Sequence, residues 1–308
     1  MNAVCVFPGQ GAQYVGMGKE LYDHVPVARG VFEQASSILQ MDVCQLCFED
    51  ADHTLGRTDI VQPAITVVNL ACLAAAREAG IVPVAAAGHS LGEYAALFCA
   101  GVFSLEDTLR LVCRRGLLMR EAAEVHPGGM VAVIGLDIGR CRELCQQASG
   151  VGVVEVANHN SPRQVILSGE KEALRAVSEY AKKAGAKLIV PLKVSGPWHS
   201  LFMKQAGEDM KAVLAASALK APQIPVVSNV TGDVYENAEE ILRGLVRQMT
   251  APVQWVMSIE RLIREGHKVF VEVGPGRVLS GLIREISKDA VVLNVEKLDG
   301  LRKIRAAG

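Results

Sequence analysis

What this sequence lacks first is charge of one sign. Its 308 residues carry 32 Lys and Arg against 33 Asp and Glu, a net charge of −1. That balance argues against electrostatic affinity for nucleic acid or an anionic membrane. No N-terminal stretch has the charged, apolar and small-residue layout of a signal peptide, and the apolar runs read as too short or too interrupted to span a bilayer. Of the eight cysteines, Cys44 and Cys47 form a C-x-x-C, but no second pair stands at zinc spacing. Cys5, Cys72, Cys99 and Cys113 sit inside apolar patterns, where a free cysteine packs as a small hydrophobe. A reduced, cytoplasmic compartment is expected. No internal repeat or low-complexity segment is present. With half its residues apolar, the chain is long enough to bury a sizeable core as one large domain or two.

What is present centres on Gly88-His89-Ser90-Leu91-Gly92-Glu93. The apolar run Ile81–Ala86 leads into it and an Ala/Leu-rich stretch follows, giving the order strand, sharp turn, helix of a nucleophile elbow. Flanking glycines suit a strained turn in which a Cβ would clash. Such a turn lifts the Ser90 hydroxyl above a sheet and aims the Leu91 N–H at a developing oxyanion. A glycine-punctuated turn carrying an ordinary serine fits the same pattern.

The strand Val4–Phe7 comes first, ended by Pro8-Gly9-Gln10-Gly11. Tyr14 stands where G-x-G-x-x-G needs its last glycine, so a phosphate loop is a weak reading. Gln10 can instead present its backbone N–H or its amide to a ligand. Helical patterns follow at about 16–40 and about 62–80, the second opening near Pro63. Ser104 caps a helix running through about Glu124. On it, Arg114 lies on a polar stripe, whereas Arg115 is flanked one turn away by Leu111, Val112, Leu118 and Met119. A guanidinium facing an apolar side is costly unless paired, either by an acid elsewhere in the chain or by a ligand.

After His126-Pro127-Gly128-Gly129 the composition shifts. The segments Met130–Leu136, Gly139–Ala148, Val151–Asn158, Gln164–Ser168, Lys171–Gly185 and Lys187–Val194 read as β-α-β-β-α-β, a ferredoxin-like insertion of about 70 residues. Asn158-His159-Asn160-Ser161-Pro162 reads as a polar turn between its middle strands. At Ser195-Gly196-Pro197-Trp198-His199 the chain leaves the insertion, and a helix is expected through about Ala218. His199, at that start, is either a capping residue or a base. Pro225–Val230 and Val269–Val273 read as core strands and Val291–Val295 as a last strand. Helices are expected at about Glu239–Met249 and up to about Ser287.

The ordered set Phe7-Pro8-Gly9-Gln10-Gly11, Gly88-His89-Ser90-Leu91-Gly92, Arg114-Arg115-Gly116, Asn158-His159-Asn160, Gly196-Pro197-Trp198-His199 and Gly274-Pro275-Gly276 resembles the malonyl-CoA:acyl-carrier-protein transacylase and polyketide acyltransferase family over essentially the whole chain. The resemblance implies an α/β fold, with an α/β-hydrolase-like core at 1–126 and 198–308 and a ferredoxin-like small domain at 127–197. It implies Ser90 as nucleophile and His199 as base, with Gln10 and the Leu91 N–H forming the oxyanion hole. Arg115 would grip the malonyl carboxylate, Asn158 and Gln248 would also bind substrate, Gln248 lying near the histidine, and a backbone or amide oxygen, not a carboxylate, would orient the histidine. His89 is expected to be structural, and Trp198 stands where the family often has phenylalanine. The implied reaction is ping-pong transfer from malonyl-CoA to the phosphopantetheine thiol of acyl carrier protein, in fatty acid or polyketide synthesis. It needs no metal or redox cofactor, and a monomer is expected. Rival readings are a serine thioesterase, which has no use for Arg115 and normally wants an acidic triad member, and a non-catalytic carrier-protein scaffold. Lys182, Lys183, Lys187 and Lys193 are either a docking face for an acidic partner or ordinary solvated charge.

Overall fold

The computed structural model describes residues 1–307 and contains two sheets. The larger is parallel and built from β1 (Asn2–Phe7), β2 (Val82–Gly88), β7 (Val226–Val227), β8 (Val269–Val273) and β9 (Val291–Val295), in the order β7-β2-β1-β8-β9. The smaller is antiparallel, built from β3 (Gly129–Ile134), β4 (Val154–Ser161), β5 (Gln164–Gly169) and β6 (Leu188–Pro191), in the order β4-β5-β3-β6.

Side chains alternate across a strand, so β1 serves two cores. Ala3, Cys5 and Phe7 pack toward the helices Pro26–Leu39, Thr58–Glu78 and Leu105–Val125, while Val4 and Val6 pack toward Trp255–Arg264 and Val278–Ile286. A parallel strand buried on both faces reads as a continuous apolar run, which is why β1 was legible in the sequence. The small sheet divides likewise. Val131, Val133, Val165 and Leu167 face its own helices, Ile138–Ala148 and Lys171–Lys183, whereas Met130, Ala132 and Ile166 face the cleft between the sheets.

Several expected elements come out differently. The pattern at 16–40 is broken into Lys19–His24 and Pro26–Leu39. Val25 precedes a proline and is held extended (φ −124°, ψ 103°), so no helix passes through it. The helix expected at about 62–80 opens at Thr58 and carries Pro63 inside it. It is also long and apolar enough to cross a membrane, contrary to the sequence reading, yet it lies mostly buried as a core helix. Asn158–Ser161 is strand, not turn. The bulged end of β4 gains a second partner, with His159 N–H donating to the Val253 carbonyl (2.9 Å) and Val253 N–H to the Ala157 carbonyl (2.9 Å). The strand at 225–230 shrinks to two residues on the sheet edge. The helix after the insertion starts only at Lys204, following a 3₁₀ turn at Leu201–Met203, and ends at Ala215.

The elbow is packed backbone against backbone. A Cβ on Gly92 would stand 2.0 Å from the Phe7 carbonyl oxygen, one on Gly88 2.0 Å from the Gly92 carbonyl, and one on Gly9 2.3 Å from the His89 carbonyl oxygen. β1 and the elbow therefore touch only because all three positions are glycine. Gly92→Ala is expected to destabilise by about 3 kcal/mol or more, since backbone cannot yield as a side chain can. Exposed Gly281, mid-helix with open space around it, gives the contrast. Gly281→Ala should stabilise by about 0.5–1 kcal/mol. Denaturant unfolding of the two variants checks both signs.

Candidate active site

The loops that build the site leave the carboxyl ends of the parallel strands, the usual place for a ligand crevice in an open α/β sheet. Ser90 follows β2 with φ 51°, a left-handed conformation that a non-glycine residue adopts only under constraint. The constraint is Asn229, just past β7. Its Oδ1 accepts from the Ser90 N–H (2.6 Å), and its Nδ2 donates to the Gly88 carbonyl (2.6 Å). His199 is left-handed as well (φ 55°) and 4% exposed.

The Ser90 hydroxyl and His199 Nε2 are 2.7 Å apart. His199 Nδ1 is 2.8 Å from the Gln248 backbone carbonyl. A carbonyl oxygen only accepts, so Nδ1 carries the proton and Nε2 presents its lone pair to Ser90. Burial, aided by the Arg115 charge, lowers the His199 pKa to about 3, so the ring is neutral at ordinary pH.

Arg115 is 1% exposed. Its Nη1 donates to Gln62 Oε1 (2.9 Å), and its Nη2 to Gln248 Oε1 (2.9 Å) and Ser90 Oγ (3.1 Å). The Tyr94 ring lies 5.7 Å from the guanidinium carbon, and the buried Nε has no partner. Among the described residues no carboxylate contacts it. Desolvation pulls its pKa down, as expected of a cation held only by neutral groups.

These groups open onto a cleft of about 250 Å³ between the two sheets, also lined by Gln10, Asn158, Asn160, Met130 and Trp198. Leu91 sits at the start of the helix Gly92–Cys99, and the close packing of Gly9 against the elbow sets the Gln10 loop beside its N–H. The Gln10 side-chain amide donates to Thr58 Oγ1 (3.2 Å). Its backbone N–H and that of Leu91 meet no protein acceptor among the described residues. Of the site residues named from the sequence, Ser90, His199, Gln10, Arg115 and Asn158 line this one cleft, Gln248 lies in the hydrogen-bond network behind it, and Leu91 is buried next to Ser90 in the chain. His89 also borders the cleft, but its Nε2 is 2.8 Å from Asn160 Oδ1 and its ring packs against Trp255.

The whole chain between residues 4 and 303 matches the acyl transferase domain. The chain belongs to that family. A malonyl CoA-acyl carrier protein transacylase of Bacillus subtilis (strain 168) is 42% identical over 284 residues, 92% of this chain and 90% of that protein. One of Staphylococcus aureus (strain MRSA252) is 39% identical over 298 residues, 96% of each. Among solved structures, a malonyl-transacylase in complex with a type II PKS acyl-carrier protein superposes with TM-score 0.96 at 38% identity, covering 100% of both chains. The malonyl CoA-acyl carrier protein transacylase of Clostridium perfringens gives TM-score 0.95 at 38% identity, covering 100% of this chain and 97% of that one.

The candidate site and its surroundings also hold groups that the sequence reading passed over. Gln62, Thr66 and Asn69 are buried polar residues on one stripe of an apolar helix, and that spacing was a usable signal. Asn229 is a polar residue directly beyond a parallel strand end. Glu93 lay inside the elbow motif without a role. It is fully buried, and desolvation raises its pKa to about 7.

The His199 environment predicts a linkage to stability. Its folded pKa lies below the unfolded value of about 6.5, so between about pH 6.5 and 3 the unfolded chain takes up a proton that the folded protein refuses. Stability from this residue is complete above that window and is lost as pH falls through it, by up to about 1.4 kcal/mol per pH unit. Glu93, with a raised pKa, acts in the opposite sense between about 4.5 and 7, so the test is a difference. The stability of wild type minus that of His199→Gln, from denaturant unfolding, should fall with acid across the window. A pH-independent difference would contradict it.

Proposed function

We propose that this acyltransferase moves a malonyl group from malonyl-CoA to the phosphopantetheine thiol of acyl carrier protein, through a malonyl ester on Ser90. The observation that carries the reading is Arg115, a buried guanidinium with no acid in contact among the described residues, 3.1 Å from the Ser90 hydroxyl oxygen. A cation so placed is costly in the empty protein and is satisfied by a ligand carboxylate arriving beside the nucleophile. A guanidinium meets a carboxylate in a two-pronged, charge-assisted pair. A thioesterase acting on neutral acyl groups has no use for it, and a scaffold has no use for the serine–histidine contact.

The steps follow from the geometry. Ser90 Oγ attacks the thioester carbon while His199 Nε2 takes its proton, and the Gln248 carbonyl supports the resulting imidazolium at Nδ1. The oxyanion is received by the Leu91 and Gln10 N–H groups. The C–S bond breaks, His199 returns the proton to the CoA sulfur, and CoA leaves. The carrier thiol then attacks the malonyl-serine ester, giving its proton to His199. C–O cleavage returns that proton to Ser90 Oγ. Asn158 lines the cleft, where it can bind the substrate. All of these groups belong to the protein, so the proposed reaction calls on no metal or redox cofactor.

The architecture is read as an α/β-hydrolase-like core, 1–126 and 198–308, with a ferredoxin-like small domain, 127–197, forming one wall of the cleft. The order β3-helix-β4-β5-helix-β6 and the strand order β4-β5-β3-β6 support the second name. A cytoplasmic monomer in fatty acid biosynthesis, with no nucleic-acid or membrane partner, is the setting proposed. Polyketide synthesis is the second reading, favoured by the likeness to a transacylase solved with a type II PKS carrier protein.

Loading assays test this. Mixing with malonyl-CoA should give one acyl adduct by intact mass, absent in Ser90→Ala. Arg115→Ala should lose malonyl loading by roughly 30- to several-thousand-fold, the usual cost of about 2–5 kcal/mol for truncating one partner of a buried charge pair. Acetyl loading, with no carboxylate to hold, should fall far less. Equal losses for both acyl groups would refute the malonyl reading.

A further inference from the structure

Resting on the malonyl reading, we propose that Glu93 is a positioning residue, whose carboxylate fixes the Gln248 amide so that its oxygen faces Arg115 and the guanidinium is held toward Ser90. Glu93 and Gln248 both lie at 0% exposure. Glu93 Oε2 accepts from Gln248 Nε2 (2.5 Å), and Oε1 accepts from the Tyr235 hydroxyl (2.7 Å) and the Asn229 N–H (3.2 Å). Gln248 Nε2 also donates to the Ser90 carbonyl (2.9 Å), which leaves Oε1 to accept from Arg115 Nη2 (2.9 Å).

Donor and acceptor logic makes this chain directional. A guanidinium only donates, so the amide must show it oxygen, and its nitrogen must then face acceptors alone. An ionised carboxylate offers nothing but acceptors, and here it meets that demand. It also supplies the negative charge that Arg115 lacks in direct contact, set one amide away. The guanidinium is compensated in part without being capped, so a substrate carboxylate does not have to displace an internal ion pair.

Glu93→Gln keeps the shape and breaks the logic. The new amide must leave its oxygen for the Asn229 N–H, which can only donate. Its NH₂ then opposes Gln248 Nε2, donor against donor. If Gln248 flips to relieve that contact, its own NH₂ meets Arg115. Every arrangement therefore leaves two donors facing each other. Protonation of Glu93 is milder, since an Oε1–H can donate to the Tyr235 hydroxyl while Oε2 still accepts from Gln248, but it removes the negative charge set one amide from Arg115. The charged and titratable groups facing Glu93 are Arg115 on the helix Leu105–Val125, Tyr235 beyond β7, and Tyr94 on its own helix. The wild-type preference for malonyl over acetyl should therefore decline as pH falls below about 7.

The experiment measures malonyl and acetyl loading rates from the two CoA esters, with thermal unfolding of each variant alongside. Glu93→Gln should lose malonyl loading by about 10- to 100-fold. Its acetyl loss should be at least about tenfold smaller, and its malonyl preference should be flat with pH near 7. Combined with Arg115→Ala it should cost no more than Arg115→Ala alone, and Glu93→Asp should restore part of the preference. Should Glu93→Gln fail to fold, Gln248→Leu cuts the same link, keeps the backbone carbonyl for His199, and is held to the same criteria. Equal losses for both acyl groups, a double variant that loses the product of the two factors, or a pH-dependent preference surviving in Glu93→Gln would each overturn the proposal. If wild type shows no malonyl preference and Arg115→Ala costs both acyl groups alike, this proposal and the malonyl reading fall together. If those controls behave and only the Glu93 series departs, Glu93 alone is misassigned.

Discussion

The site is organised around a buried positive charge that no group among the described residues neutralises by contact. Arg115 is held by two glutamine oxygens and a serine hydroxyl, with one nitrogen unpaired. Keeping a guanidinium dry on neutral acceptors costs stability, and the cost is tolerable only because each surrounding group is itself fixed. Gln62 comes from a core helix, Gln248 from the end of the helix Ala238–Gln248, and Ser90 from the elbow. Burial, and with it this charge, lowers the proton affinity of His199, so the neighbouring imidazole stays neutral.

Gln248 joins these demands at a single position. Its backbone carbonyl sets the histidine tautomer, and its side chain orients the guanidinium and ties down the Ser90 carbonyl. A carbonyl at the histidine's Nδ1 orients the ring without adding a further buried charge. Both partners of the serine–histidine contact have positive φ, a strain the surrounding hydrogen bonds support.

The cleft has one wall from each sheet, and polar links cross between them. His89 meets Asn160, and the β4 backbone pairs with Val253. The two chain crossings also pack against each other, since a Cβ on Gly128 would stand 2.8 Å from Pro197 Cβ. The second sheet is therefore anchored close to Ser90, and the apolar residues on its inner face, Met130, Ala132 and Ile166, cover that side of the cleft.

Sequence alone determined what depends on near neighbours. The elbow, the Ser104 cap, the β-α-β-β-α-β order and the inward face of Arg115 were all readable, because turns, caps and periodicities are set within a few residues. Ser90, His199, Gln10 and Arg115 could be named as candidates on the same footing, with family resemblance choosing between their bland and chemical readings. Only the tertiary structure decided partners distant in the chain. It made Asn158–Ser161 a strand by giving it Val253, and it brought Asn229 to the Ser90 N–H across 139 positions. It also turned Glu93, silent in the motif, toward Gln248 across 155. Hydrogen bonds at that separation leave no periodic trace, because their geometry is fixed by how helices and strands pack and not by what adjoins each residue.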